Sequence, residues 1–124
     1  MKIALISVSP EFISVGLRTL SSVLKEDGHE INLVFLAKDN NRSLTPKESS
    51  NLNNFLKDFD LVGLSLTTNY FEMAKDITLK IKDSYGNKPV VWGGMHATVA
   101  PDECLKYADF VCRGEGEVFL RQLA

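Results

Sequence analysis

Leu61-Val62-Gly63-Leu64-Ser65-Leu66 is a short run of apolar and small residues bounded by polar positions on both sides. A run of this length and texture predicts a strand buried on both faces. Asn69 then caps a helix, with Glu72 three residues on, and Phe71, Ala74, Ile77, Thr78 and Ile81 line one helical face as far as Gly86. Pro89-Val90-Val91-Trp92 reads as the next strand. Strand, helix and strand within about thirty residues form a unit whose two strands are parallel.

The same alternation extends outward in both directions. Upstream, Ile3-Ala4-Leu5-Ile6 is a strand, and Leu17, Leu20, Val23 and Leu24 mark a helix that ends with Gly28 as its left-handed C′ residue. Ile31-Asn32-Leu33-Val34-Phe35-Leu36 is a second strand, and 39–43 is a polar loop. Thr45-Pro46-Lys47-Glu48 combines a capping Thr, Pro at the first helical position and Glu three residues after the cap; Leu52, Phe55 and Leu56 supply the buried stripe. Downstream, 101–106 is a short helix, Asp109-Phe110-Val111-Cys112 a fifth strand, and Val118-Phe119-Leu120 the start of a last helix.

Five strands alternating with helices predict a doubly wound, three-layer α/β/α domain over 1–124, with a parallel sheet in the flavodoxin-like (Rossmann-like) order 2-1-3-4-5. A helical pattern still running at Ala124 suggests the front piece of a longer protein. The 124 residues are 44% hydrophobic, enough for one core. Fourteen Lys and Arg against 16 Asp and Glu give a net charge of −2, which argues against a nucleic-acid or anionic-membrane partner. No apolar run is long enough to span a membrane, and no signal peptide opens the chain. Cys104 and Cys112 form neither a disulfide framework nor a CxxC site. The expected setting is therefore cytoplasmic.

In open parallel sheets, ligands bind beyond the carboxyl ends of the strands. The loops there are Ser7-Val8-Ser9-Pro10-Glu11, Ser65-Leu66-Thr67-Thr68-Asn69, Gly93-Gly94-Met95-His96-Ala97-Thr98 and Arg113-Gly114-Glu115-Gly116-Glu117. A phosphoacceptor receiver would need an acidic pair after the first strand and Asp after the third, and has neither. The GxGxxG dinucleotide pattern is missing as well. A flavin phosphate loop would want Gly beside Ser7 and Ser9.

What remains is Ser65-x-Thr67 followed by Gly93-Gly94. This pattern resembles the cobalamin-binding domain family, in which Ser after the third strand pairs with Gly-Gly after the fourth. Two residues without Cβ let the backbone approach a bulky nucleotide tail, and hydroxyls can both donate to it and accept from it. Gly93-Gly94-Met95-His96-Ala97-Thr98 with Pro101, then Ala108-Asp109-Phe110-Val111 and Arg113-Gly114-Glu115-Gly116-Glu117, resembles more narrowly the N-terminal domain of cobalamin-dependent radical SAM enzymes. The resemblance covers essentially the whole chain.

It implies tail contacts from Ser65, Thr67, Gly93, Gly94 and His96, with Thr68 and Met95 also among the cofactor-binding residues. The loop of Ser7, Ser9, Pro10, Glu11 and Phe12 would lie below the corrin, with Gly114 and Glu115 at its edge or against a partner domain. It implies cobalamin on this domain, and a [4Fe–4S] cluster and S-adenosylmethionine on a following radical SAM domain of a parent enzyme such as a methyltransferase. Two departures stand out. The loop after the first strand lacks the His of the DxHxxG pattern that supplies a lower cobalt ligand in the methionine-synthase-like branch. CxxxCxxC is also absent, so this chain carries no catalytic residue and no metal ligand of its own for radical chemistry.

Simpler roles stand beside these. Gly93-Gly94 can end a strand by taking positive φ, and Ser65 and Thr67 can satisfy backbone donors. His96 has no second ligand nearby and reads as structural or tail-contacting. His29 reads as solvent-facing, the two cysteines as buried apolar residues, and Glu115 and Glu117 as favouring a helix dipole or a docking contact. Trp92 is either core or pocket wall, and Tyr70 and Phe71 pack a helix face. The rival to a cofactor domain is a scaffold of the same fold with no bound cofactor.

Overall fold

The computed structural model describes residues 1–8, 15–35, 45–65, 71–93 and 101–112, with the backbone alone at 15–19, 35 and 101. The described elements run β1 (Lys2–Ser7), α1 (Val15–Glu26), β2 (Glu30–Phe35), α2 (Pro46–Phe55), a 3-10 turn (Leu56–Asp58), β3 (Leu61–Ser65), α3 (Phe71–Ser84), β4 (Val90–Gly93), α4 (Pro101–Cys104) and β5 (Phe110–Val111). The strands form one sheet in the order β2-β1-β3-β4-β5, with every neighbouring pair parallel. This is the predicted doubly wound order.

Strand alternation sends side chains to two cores. One face carries Ala4, Ile6, Val62, Leu64, Val90 and Trp92 under Leu56 and the α3 residues Met73, Ala74, Ile77 and Ile81. The other carries Ile3, Leu5, Ile31, Leu61 and Val91 with Leu20 and Leu24 of α1. A sheet covered on both sides explains why its strands read as nearly continuous apolar runs.

Local signals account for the helix ends. Gly28 has φ of 91°, and its N–H donates to the Lys25 carbonyl, so it closes α1 as expected. Thr45 Oγ1 accepts from the Glu48 N–H at 3.2 Å while Glu48 Oε1 accepts from the Thr45 N–H at 2.9 Å, a reciprocal capping box.

Two expectations fail. Phe55 is 46% exposed rather than part of a buried stripe. The chain tightens into the 3-10 turn immediately after it, which swings Leu56 into the core and leaves Phe55 outside, tilted against the Phe59 ring at 5.2 Å. His29 is half-buried rather than solvent-facing, because its backbone folds back onto the Leu24 carbonyl and encloses Nδ1. Cys104 and Cys112 are buried, as read. The fifth strand is two residues long, shorter than expected, and the expected helix at 118–120 lies outside the described residues. Among the described residues, no helix is long and apolar enough to cross a membrane.

Candidate functional site

The parallel register lines up the carboxyl ends of the central strands. Ser7 pairs with Ser65, Ser65 with Gly93, and Ser7 on its other side with Phe35. The Val8 N–H continues the ladder by donating to the Ser65 carbonyl at 3.0 Å. On the far side, the Cys112 N–H donates to the Trp92 carbonyl at 2.8 Å, which sets Cys112 beside Gly93. Side chains alternate, so Ser7, Ser65, Gly93 and Cys112 share the face that packs on α1.

Exposure differs along this row. Ser7 is buried at 3% exposure, whereas Ser65 and Gly93 are half-buried. Access to the row is therefore over β3 and β4 rather than over β1. Of the candidate contacts, the structure brings together Ser7, Ser65 and Gly93. Ser9, Pro10, Glu11, Phe12, Thr67, Thr68, Gly94, Met95, His96, Gly114 and Glu115 lie outside the described residues.

Two glycines on this face differ in kind. A Cβ on Gly63 would lie 2.9 Å from Leu5 Cδ2, so that position is glycine because protein fills the space. Gly93 has no positive φ, and among the described residues a Cβ there would meet only Cys112 Cβ, at an ordinary 3.9 Å. Neither backbone conformation nor packing against the described residues requires glycine at 93. The positive-φ account of a strand-ending glycine thus fails at this position.

Trp92 is core. It is fully buried on the opposite face, stacks on Tyr107 at 6.1 Å and meets the Phe71 edge at 5.8 Å. Its Nε1–H donates to Thr78 Oγ1. Phe71 packs as read, while Tyr70 lies outside the described residues. Sequence reasoning missed the contribution of Leu5 and Gly63, because a glycine inside an apolar strand looks the same whichever neighbour fills its space.

The perturbed groups lie away from this row. Burial raises the Cys104 thiol above its ordinary value, with Glu103 adding to the effect, in the opposite core. Burial lowers the Lys88 ammonium, opposed by Asp58 and Asp60, where it donates to the Leu56 and Lys57 carbonyls. Among the described residues, no group of three or more His, Cys, Asp or Glu could hold a metal ion. Among the described residues this row offers the Ser7 and Ser65 hydroxyls and backbone.

An uncharacterized methyltransferase of Pyrococcus horikoshii is 32% identical over 115 residues, covering 88% of this chain and 23% of that protein. The radical S-adenosylmethionine methyltransferase TsrM from Kitasatospora setae, solved with tryptophan and a SAM analog, superposes with a TM-score of 0.80 at 19% identity, over 98% of this chain and 24% of that one. A cobalamin-binding protein from Desulfitobacterium hafniense gives a TM-score of 0.74 at 17% identity, over 99% of this chain and 58% of that one. The chain thus spans about a quarter of the length of both methyltransferases. The B12 binding domain family matches residues 1–124 in full. This chain belongs to the B12-binding domain family.

Proposed function

We propose that this chain holds cobalamin for a radical SAM methyltransferase of which it is the cofactor-binding part, and that it contributes no catalytic side chain. Gly93 carries the reading: a half-buried glycine at the carboxyl end of β4 that neither φ nor packing against the described residues demands. The family match supplies the ligand, and the two methyltransferases among the relatives point to the parent reaction.

In this account Gly93 and the adjoining Gly94 let the nucleotide tail lie against the backbone. The Ser65 hydroxyl, half-buried beside Gly93 in the register, donates to or accepts from that tail. Ser7 backs the row from under α1. Thr67, Thr68, Met95 and His96 continue it in the adjoining loops, the Ser9 to Phe12 loop lies below the corrin, and Gly114 and Glu115 stand at its edge. Methylcobalamin, when bound, supplies a transferable methyl group; the chain itself binds, orients and shields the cofactor. The segment 8–16 contains no histidine, so it offers cobalt no imidazole.

Gel filtration of the purified chain with hydroxocobalamin, read by visible spectra, tests this. Co-elution with a spectrum in which the nucleotide base has left cobalt supports it. Elution of protein without corrinoid contradicts it and favours a scaffold of the same fold.

A further inference from the structure

Below Ser65 and Gly93 the same face of the sheet changes character. Leu5 and Gly63 are direct partners across β1 and β3, and Val91 pairs with Gly63 from the other side. Leu5 Cδ2 stands 2.9 Å from where a Gly63 Cβ would be, so the leucine side chain fills the space over the glycine. Leu5 is 1% exposed and Val91 3%. Ser65 stands two residues further along β3, about 7 Å toward the carboxyl edge at roughly 3.3 Å per residue. Within that step the face passes from small, half-buried residues to a closed apolar floor.

We propose that a base-binding groove begins at Ser65 and Gly93 and that Leu5, folded across Gly63, is its depth stop. On this account it determines how large a nucleotide base the groove accepts on a corrinoid. The proposal rests on the cobalamin reading above and adds a selectivity to it. A base descending past Ser65 meets the Leu5 methyl and the Val91 side chain, which offer dispersion contacts and no hydrogen bond. A smaller side chain at position 5 lowers that floor. A methyl group on Gly63 forces Leu5 aside and raises it.

The test compares three corrinoids on the purified chain: cobalamin, cobinamide (which has no base), and a cobamide whose benzimidazole carries one more fused ring. Gly63→Ala is expected to weaken cobalamin about tenfold or more while cobinamide stays within about twofold, since only the base reaches the floor. Leu5→Val is expected to strengthen the larger cobamide about tenfold relative to cobinamide, and as a conservative change it keeps the test available if Gly63→Ala does not fold. Equal changes for tailed and tailless corrinoids, or unchanged ratios in Leu5→Val, would overturn the depth stop while leaving the cradle intact. A wild-type chain that bound none of the three would overturn the cobalamin reading, and this proposal with it.

Discussion

The Trp92 indole donates its Nε1–H to Thr78 Oγ1 at 2.9 Å, and that hydroxyl donates onward to the Ala74 carbonyl at 2.8 Å. All three residues are fully buried. The relay ties Trp92, the β4 residue before Gly93, to the middle of α3, so the glycine stands on a strand end fixed from behind.

Thr78→Val keeps the shape but strands the indole N–H in the core. A buried donor without a partner costs about 1–3 kcal/mol. Urea unfolding should show that loss, and Thr78→Ser should recover most of it. Equal stability of the valine variant and wild type would mean that the relay contributes nothing.

Gly93→Ala should leave the fold within about 1 kcal/mol of wild type, because φ permits alanine and the nearest contact is relaxed. Thermal or urea unfolding checks it. A loss of several kcal/mol would show that protein packing, not a ligand, requires the glycine.

Thr45→Ala removes one half of the capping box at the start of α2 and should cost about 1 kcal/mol. Glu48→Ala should cost less, since it removes the bond to the Thr45 N–H and leaves the hydroxyl cap on the Glu48 N–H in place. Urea midpoints of the two variants measure both effects.

Cys104 gives a pH dependence with a definite sign. Its thiol holds its proton more tightly folded than unfolded, because burial penalises the thiolate and Glu103 repels it. Between the ordinary thiol value, about 9.0, and the raised folded value, the native state binds more protons, so stability falls as pH rises through that window. Unfolding of wild type and Cys104→Ala compared at pH 7.5 and 9.5 should show the wild type losing more. Ellman's reagent should meet little reaction at Cys104 in the native chain at pH 8.

The fold was legible because the central strands β1, β3 and β4 are covered on both faces and so read as nearly unbroken apolar runs, and because Gly28 and Thr45-Pro46-x-Glu48 punctuate the helices. Phe55 was misread because helical periodicity carries no sign of a 3-10 turn one residue later. At the site, sequence placed Ser7, Ser65 and Gly93 at strand ends, and the register brought them into one row. It could not separate Gly63 from Gly93, since what distinguishes them is the Leu5 methyl across the sheet. Nor could it choose a side for Trp92, whose face depends on strand phase. Alternation puts Trp92 opposite Gly93 on β4, and its bond to Thr78 seals it there.

The most direct test of the central claim is equilibrium titration of hydroxocobalamin into wild type and Gly93→Leu at matched temperature, with melting curves for both. The account predicts that leucine leaves the melting temperature within a few degrees and weakens binding about tenfold or more, on the order of 1.4 kcal/mol. Equal affinity for the two proteins would contradict it, because a side chain would then stand where the tail is claimed to lie.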